Sequence, residues 1–598
     1  MSNFLWGGLF ALVGENRCLS LRNTEMIKQK PYLLHQNRMR LFACLLGLFL
    51  TCLLPAQQAD LPLRHDLYHY LDRLDIQDRL DTVLYSTIKP YSREMVAAML
   101  RRAEVADLGP GRRAWHHRMR MLGDDQYAVA QSRTGWLSEY LYRNGRDFGH
   151  VVRGETQLFI NPVAHVIGGL SRNNDPTAPE PQLFVYRNTR GSEGRGSLFG
   201  KVGVYTMLAD NVTRVPWFLY RRYLSSEQLY GEGRVKRFGE VNGLDYFVAR
   251  GYLTYSPFRG MRIKFGRDRA FWGSGYQSLL LSDHAPDLLM LNITTRIWKF
   301  EYVNHFTQMI DFVPLRNDDE GDYPRKYGAF HALNFVPNRY FSVGVFESVV
   351  YSSYLVNRFR GFELQYLNPL IFYRAAEQYI GSPDNGLLGV QVKGNVLRRF
   401  QLYGQILLDD FNFGVRDQGL DYWGNKLGWQ AGLKYIDMFG IPTLDGQVEL
   451  NHVRPYVYQH FNRASAYTHF GQSLGHGAGA NLDDYTVILR YQPLPAWHLQ
   501  LAFTQIDQGL NQDDLNYGAN PEDISSGFTG NRPGDFGVVV GQGAPYRMRQ
   551  LHGRLSWQIG HTDMYLEAEG RYRTENELRT ASAMLGFRFN FVGKVAKF

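Results

Sequence analysis

Two stretches of this 598-residue chain carry side chains suited to holding a polar ligand. The first runs Gly266-Arg267-Asp268-Arg269-Ala270-Phe271-Trp272-Gly273-Ser274-Gly275-Tyr276 and on to Leu281-Ser282-Asp283-His284-Ala285-Pro286. Arginine and aspartate hydrogen-bond sugar hydroxyls or carboxylates, while Trp and Tyr faces stack against the C–H surface of a pyranose. Arg267, Asp268, Arg269, Trp272, Tyr276 and Asp283 are therefore candidate glycan contacts. The other reading of the same residues is an internal salt-bridge network that neutralises charge and fixes a loop. The second stretch, Asn451 to Asn481, contributes Arg454 and Tyr456 as further candidates and brings His452, His460, His469 and His476 within 25 residues. No carboxylate stands at ligand spacing among these histidines, so polar packing or ligand contact fits them better than a metal.

Catalytic motifs fail on particular residues. His65 and His69 stand at i, i+4, but Asp66 occupies the place of the Glu that a zinc hydrolase uses as general base. Gly273-Ser274-Gly275 is no nucleophile elbow, because Trp272 stands where a glycine is needed two places before the serine. The sequence reads as a non-enzymatic protein without metal or cofactor.

From about Ser132 onward the apolar period is two. Leu551, Gly553, Leu555 and Trp557 alternate with His552, Arg554, Ser556 and Gln558, and similar runs cover Met564–Arg573 and Ala583–Phe591. Each is about ten residues of apolar-out, polar-in pattern, as a tilted transmembrane strand requires. Shorter runs occur at Met261–Phe265, Phe362–Tyr366 and Leu499–Phe503, separated by turn-rich stretches such as Asn173-Asn174-Asp175-Pro176 and Gly530-Asn531-Arg532-Pro533-Gly534. A soluble sandwich or propeller also alternates. The rings repeated on one face (Trp557, Phe587) and the full charges on the other favour a barrel, the closed form in which strands can cross hydrocarbon. At roughly 25 residues per strand plus connection, the region holds about 16–18 antiparallel strands.

The start of the chain is different. Residues 1–38 read as a leader or a mis-called start, and 39–56 as a cleaved signal peptide, with Arg40 before the apolar Leu41–Leu54 run and Leu53-Leu54-Pro55-Ala56 as the cleavage site. All three cysteines (Cys18, Cys44, Cys52) precede that site, so the exported chain has no disulfide or thiolate site. Residues 57–131 form a small periplasmic helical domain: Leu67, Leu71 and Leu74 share one face, and Ser92 caps a second helix whose stripe is Met95, Met99 and Ala103, with Arg101, Arg102 and Glu104 towards water. The barrel occupies 132–598. The six bases and two acids before residue 57 reduce the net charge from +9 to a mild +5, and the bases are scattered, which argues against nucleic-acid binding.

Taken together, the helical start ending Tyr91-Ser92-Arg93-Glu94, the Gly266 to Pro286 block, Tyr366-Leu367-Asn368-Pro369-Leu370 with Gly381-Ser382-Pro383-Asp384-Asn385, and Asn451 to Asn481 resemble the capsule-assembly Wzi family of outer-membrane proteins. The resemblance implies an 18-stranded barrel with a periplasmic helical bundle, acting as a lectin-like attachment point for capsular polysaccharide. The expectation is an outer-membrane, monomeric, lipid-embedded protein that binds capsular or extracellular polysaccharide, the alternative being a channel for small solutes. Trp272→Ala is then expected to weaken polysaccharide binding.

Overall fold

The computed structural model describes residues 59–592 apart from 132–141, 143, 145, 240, 313–322, 356–357, 370–383, 411–420 and 525–530. The leader, the signal peptide, the three cysteines, Gly381–Pro383, Gly530 and the terminal Phe598 lie outside the described residues. Among the described residues no helix is long and apolar enough to cross a membrane.

Eighteen antiparallel strands, from Thr156–Asn173 to Leu578–Phe589, close into a barrel. Closure is direct, with Thr580 opposite Asn173 and Phe589 opposite Ala164, so no edge is left between the first and last strands. The period-two pattern becomes two surfaces. Along Asn385–Val396, Leu388, Val390 and Val392 point outward and are 39–42% exposed, whereas Gln391 and Lys393 point inward and are 3% exposed. Leu551, Leu555 and Trp557 face out in the same way, with His552, Ser556 and Gln558 inside.

One expected strand is not there. Phe362–Tyr366 is too short to span, and it folds instead into a 3-10 turn, Leu364–Leu367, within the connection after Phe341–Ser352. Asp384 anchors this turn by accepting hydrogen bonds from Tyr366 Oη at 2.6 Å and from Arg360 Nη1 at 2.8 Å.

Connections are short at one end of the barrel, as between Ile297 and Phe300 or Asn338 and Phe341, and long at the other, as at 454–481 and 511–543. The helical region sits at the short-turn end. It comprises α1 (Asp66–Ile76), α2 (Arg93–Arg102), α3 (Pro110–Gly123) and α4 (Asp125–Ala130). Ser92 caps α2 by accepting from the Met95 amide at 3.3 Å. Leu67, Leu71, Leu74, Met99, Trp115 and Met119 form the helical core, but Val96 and Leu100 fill its centre while Met95 and Ala103 lie at its margin. The buried face of α2 is thus turned from the expected stripe towards Val96, Met99 and Leu100, and Ala103 lies beyond the helix as its C-cap.

α1 reaches into the barrel mouth through charge. Asp72 pairs with Lys434 at 2.7 Å, Asp75 with Lys393 at 2.9 Å, and Arg73 with Asp437 at 2.9 Å and with Asp445. Just past the helix, Asp78 meets Arg339 at 2.8 Å. The partners sit on inward strand positions or in the short turns, so the helix is keyed to one end of the wall.

Removing one member of a buried pair leaves the other charge uncompensated. Asp75→Ala, which strands the Lys393 amine, is expected to cost about 3–5 kcal/mol and to expose the helical region to protease. Denaturant titration and limited proteolysis of detergent-folded protein read this, and a double variant with Lys393→Met is expected to recover most of the loss.

Candidate functional site

The Gly266 block does what its composition suggests locally, for a different purpose. The strand Met261–Asp268 ends at the long-loop side, and residues 269–287 then turn down into the lumen rather than out towards solvent. There Phe271–Trp272 pairs with Ile88–Lys89 of the helical region, and the Gly273 amide donates to Thr87 O at 2.7 Å. The wall satisfies the inserted backbone: Glu449 accepts from the Tyr276 and Gln277 amides at 2.5 and 2.8 Å, and Gln405 donates to Trp272 O at 3.0 Å while accepting from the Leu279 amide at 2.9 Å. Such an approach requires glycine. Gly273 has φ +145°, and a Cβ on Gly275 would stand 2.6 Å from Glu449 Oε2.

Around this backbone an apolar plug fills part of the lumen. Trp272 is 1% exposed, packs edge-on against Phe346 with ring centroids 5.6 Å apart, and joins Leu279, Leu280, Leu281, Tyr458 and Tyr467 in one cluster with inward wall residues such as Leu387 and Leu407. Its ring therefore presents no face to a sugar in this conformation. The charged candidates form fixed pairs. Asp268 accepts from Lys264, which also holds Asp60 at 2.8 Å; Arg269 is bound to Asp287 and donates to Gly231 O at 3.0 Å. Asp283 takes Arg64 through two hydrogen bonds of 2.5 and 2.8 Å. Burial opposes the charge on Arg64, but the Asp283 carboxylate outweighs it and holds the guanidinium pKa above its ordinary value. Arg267 is separate from all of these, exposed on the outward face beside Phe265. Tyr276 and Asp283 line a cavity between α1 and the wall.

The two histidines at the start of α1 are also accounted for. His65 caps the helix by accepting from the Leu67 amide at 3.1 Å, and His69 Nε2 meets Asp445 at 2.8 Å. Among the described residues no three His, Cys, Asp or Glu side chains gather as a metal site would need. In the second stretch, His476 pairs with Asp484 at 2.9 Å and His452 with Asp483 at 2.7 Å, both carboxylates coming from the next strand, Leu482–Tyr491. Burial first, and then Lys326, pushes His469 down to about 3, so it is a neutral acceptor for the Ile310 amide.

Arg454 and Tyr456 open onto the long-loop end. Tyr456 is itself buried, with φ +68° and its hydroxyl donating to Asn516 O at 2.9 Å; burial pushes its phenol up to about 12. Above it stands Trp423, edge-on at 6.0 Å, and the Arg532 guanidinium lies 3.8 Å over the Trp423 ring. Tyr422 and Phe536 continue the patch with centroids 5.3 Å apart, and Phe536 is 48% exposed. Arg454 is half-buried and reaches the carbonyls of Tyr422 and Val538 at 3.4 Å each. The exposed Phe536 ring beside the half-buried Arg454 forms a surface on which a hydroxylated or anionic ligand can lie, while Arg532 is held by Asp535 at 2.6 Å with its side chain 7% exposed. Trp423, Arg532 and Phe536 escaped sequence reasoning because Trp423 comes from one loop and Arg532 and Phe536 from another; the Asp421-Tyr422-Trp423 triplet was the available signal.

Fold and site together define a closed antiparallel β-barrel with an apolar outer face, whose lumen is occupied by its own inward loop and capped at one end by its N-terminal helices. Among solved structures the chain is similar to Wzi of Escherichia coli, an outer-membrane protein involved in group 1 capsule assembly and a carbohydrate-binding β-barrel. The match has a TM-score of 0.54 at 14% identity and covers 90% of this chain and 100% of that one. OprD of Pseudomonas aeruginosa (TM-score 0.38, 8% identity, 73% of this chain and 96% of that one) and a BenF-like porin from Pseudomonas fluorescens Pf-5 (0.40, 7%, 72% and 98%) also match, as barrels only. No protein-family model matches the chain, and neither does any curated protein.

Trp272→Ala removes the largest fully buried side chain of the plug and is expected to cost about 3–5 kcal/mol. The expected result is a lower thermal midpoint of the folded barrel with the outer patch unchanged.

Proposed function

We propose that this protein is a non-enzymatic attachment point for capsular or extracellular polysaccharide at the cell surface. In this reading the short-turn end faces the periplasm, since outer-membrane barrels place short turns there and long loops outside. Residues 39–56 direct export, the outward apolar band meets outer-membrane lipid, and a single chain suffices. The observation that carries the reading is the combination of a filled lumen with an aromatic and arginine patch on the long-loop face. A channel would need continuous polar space across the membrane, whereas the Trp272 cluster stands in its way. The fold likeness to a carbohydrate-binding barrel points in the same direction.

The patch rather than Trp272 then carries glycan contact, with Tyr422 and Phe536 as platforms and Arg454 as donor. Tyr276 and Asp283 belong to the other end, while Asp268 and Arg269 position the inward loop. Retention of the host's surface polysaccharide by detergent-folded protein in a pull-down tests this. Tyr422→Ala with Phe536→Ala is expected to weaken retention about tenfold, from stacking losses of roughly 0.5–1.5 kcal/mol per ring. Undiminished retention in the pair, or none by wild type, contradicts the reading.

A further inference from the structure

Between α1 and the inner wall, beside the short turns 436–443 and 492–496, lies a cavity of about 220 Å³. The ladder fixes its wall side. Arg490 stands opposite Gln500, and Gln500 opposite Arg554, so two guanidinium groups share one inward row with an amide between them. The helical side contributes Arg64 and Lys89, and Lys434 completes the bases.

The carboxylates that line the cavity, Asp66, Asp72 and Asp283, do not balance these five bases. Arg64 holds Asp283, Lys434 holds Asp72 at 2.7 Å, and Arg554 reaches Asp66 at 3.7 Å. Asp445, which faces Arg490 across the ladder, is taken by Arg73 and His69. Among the described residues Lys89 and Arg490 have no carboxylate at ion-pair distance. Lys89 Nζ donates to the Gly273 carbonyl at 3.2 Å, and Arg490 Nη1 to Gln447 Oε1 at 3.0 Å. Burial accordingly pushes Lys89 down to about 8, with Asp72 pulling the other way. An anion in this cavity would supply the missing counter-charge to two partly buried cations.

The rest of the lining narrows the class of anion. Gln500 offers an amide that both donates and accepts, as sugar hydroxyls need, whereas Gln447 is held by Tyr403 and Arg490 and Gln492 Nε2 by the Pro495 carbonyl; Trp115 and Phe271 add ring surface to the lining. The volume falls below the roughly 300–1,000 Å³ of drug-sized ligand pockets, which suits one sugar residue and not a chain segment. We propose that this cavity binds the carboxylate of an acidic sugar residue, with Arg490 and Lys89 as its charge partners and Gln500 on its hydroxyls. The inference stands on the cavity alone and does not require the outer patch.

Calorimetric titration of the full, detergent-folded chain with glucuronic acid, glucose and inorganic phosphate tests it. Glucuronic acid is expected to bind, glucose not to bind, and phosphate to bind more weakly for want of hydroxyl contacts. Arg490→Gln and Lys89→Gln are each expected to weaken glucuronate about tenfold, the scale of one charge-assisted hydrogen bond, while Arg490→Lys keeps part of the affinity. Phe536→Ala, at the opposite end, is expected to leave the titration unchanged, which separates this site from the outer patch. Protease resistance of the helical region checks that each variant remains docked. Absence of glucuronate binding, equal binding of glucose, tighter binding of phosphate, or unaltered affinity in both docked glutamine variants would overturn the proposal.

Discussion

The pairing of α1's charges with the inward bases and acids of the wall is the interaction on which the rest of this architecture rests. A strand that crosses hydrocarbon must send alternate side chains inward, and here those positions carry Lys393, Lys434 and Asp445. Such groups are costly to bury alone. Asp72, Arg73 and Asp75 meet them at one end of a single helix, so the helical region acts as counter-charge as much as lid. With α1 in place, Ile88–Lys89 can pair with Phe271–Trp272, and the inward loop gains a fixed edge inside the lumen.

That order of dependence explains a division of labour between the two ends. Near the short turns the lumen is polar, charged and cavity-bearing; at mid-height it is apolar, with Trp272, Leu279–Leu281 and the rings of Tyr458 and Tyr467 packed together. At the long-loop end the packing opens again into the Tyr422, Trp423 and Phe536 patch. An apolar layer thus separates the cavity at the short-turn end from the aromatic patch at the long-loop end.

The barrel was legible because its signal is periodic. Leu551–Gln558 and Ala583–Phe589 show their outward and inward faces in the order of residues, and an amphipathic helix such as α1 declares itself at Leu67, Leu71 and Leu74. The site was less legible, since residue chemistry does not say which way a loop turns. Arg269, Trp272 and Asp283 have the composition of a sugar subsite and also that of a buried network, and the glycines that let the backbone approach Glu449 and Gln405 serve the second. His476 and Asp484 illustrate the same limit: their partnership depends on the fold of the loop that brings them together. Arg554 was visible only as a polar alternate and Arg490 in none of the runs singled out; their common row follows from register, which no single strand encodes.

On the proposed reading, the plugged lumen makes this barrel a holder and not a pore. Planar lipid bilayer recordings on the full, detergent-folded chain test it most directly. The account predicts no steady conductance above the bare-membrane baseline, because the Trp272 cluster and the docked helices close the path; a stable, ohmic single-channel current from the wild-type protein would contradict it.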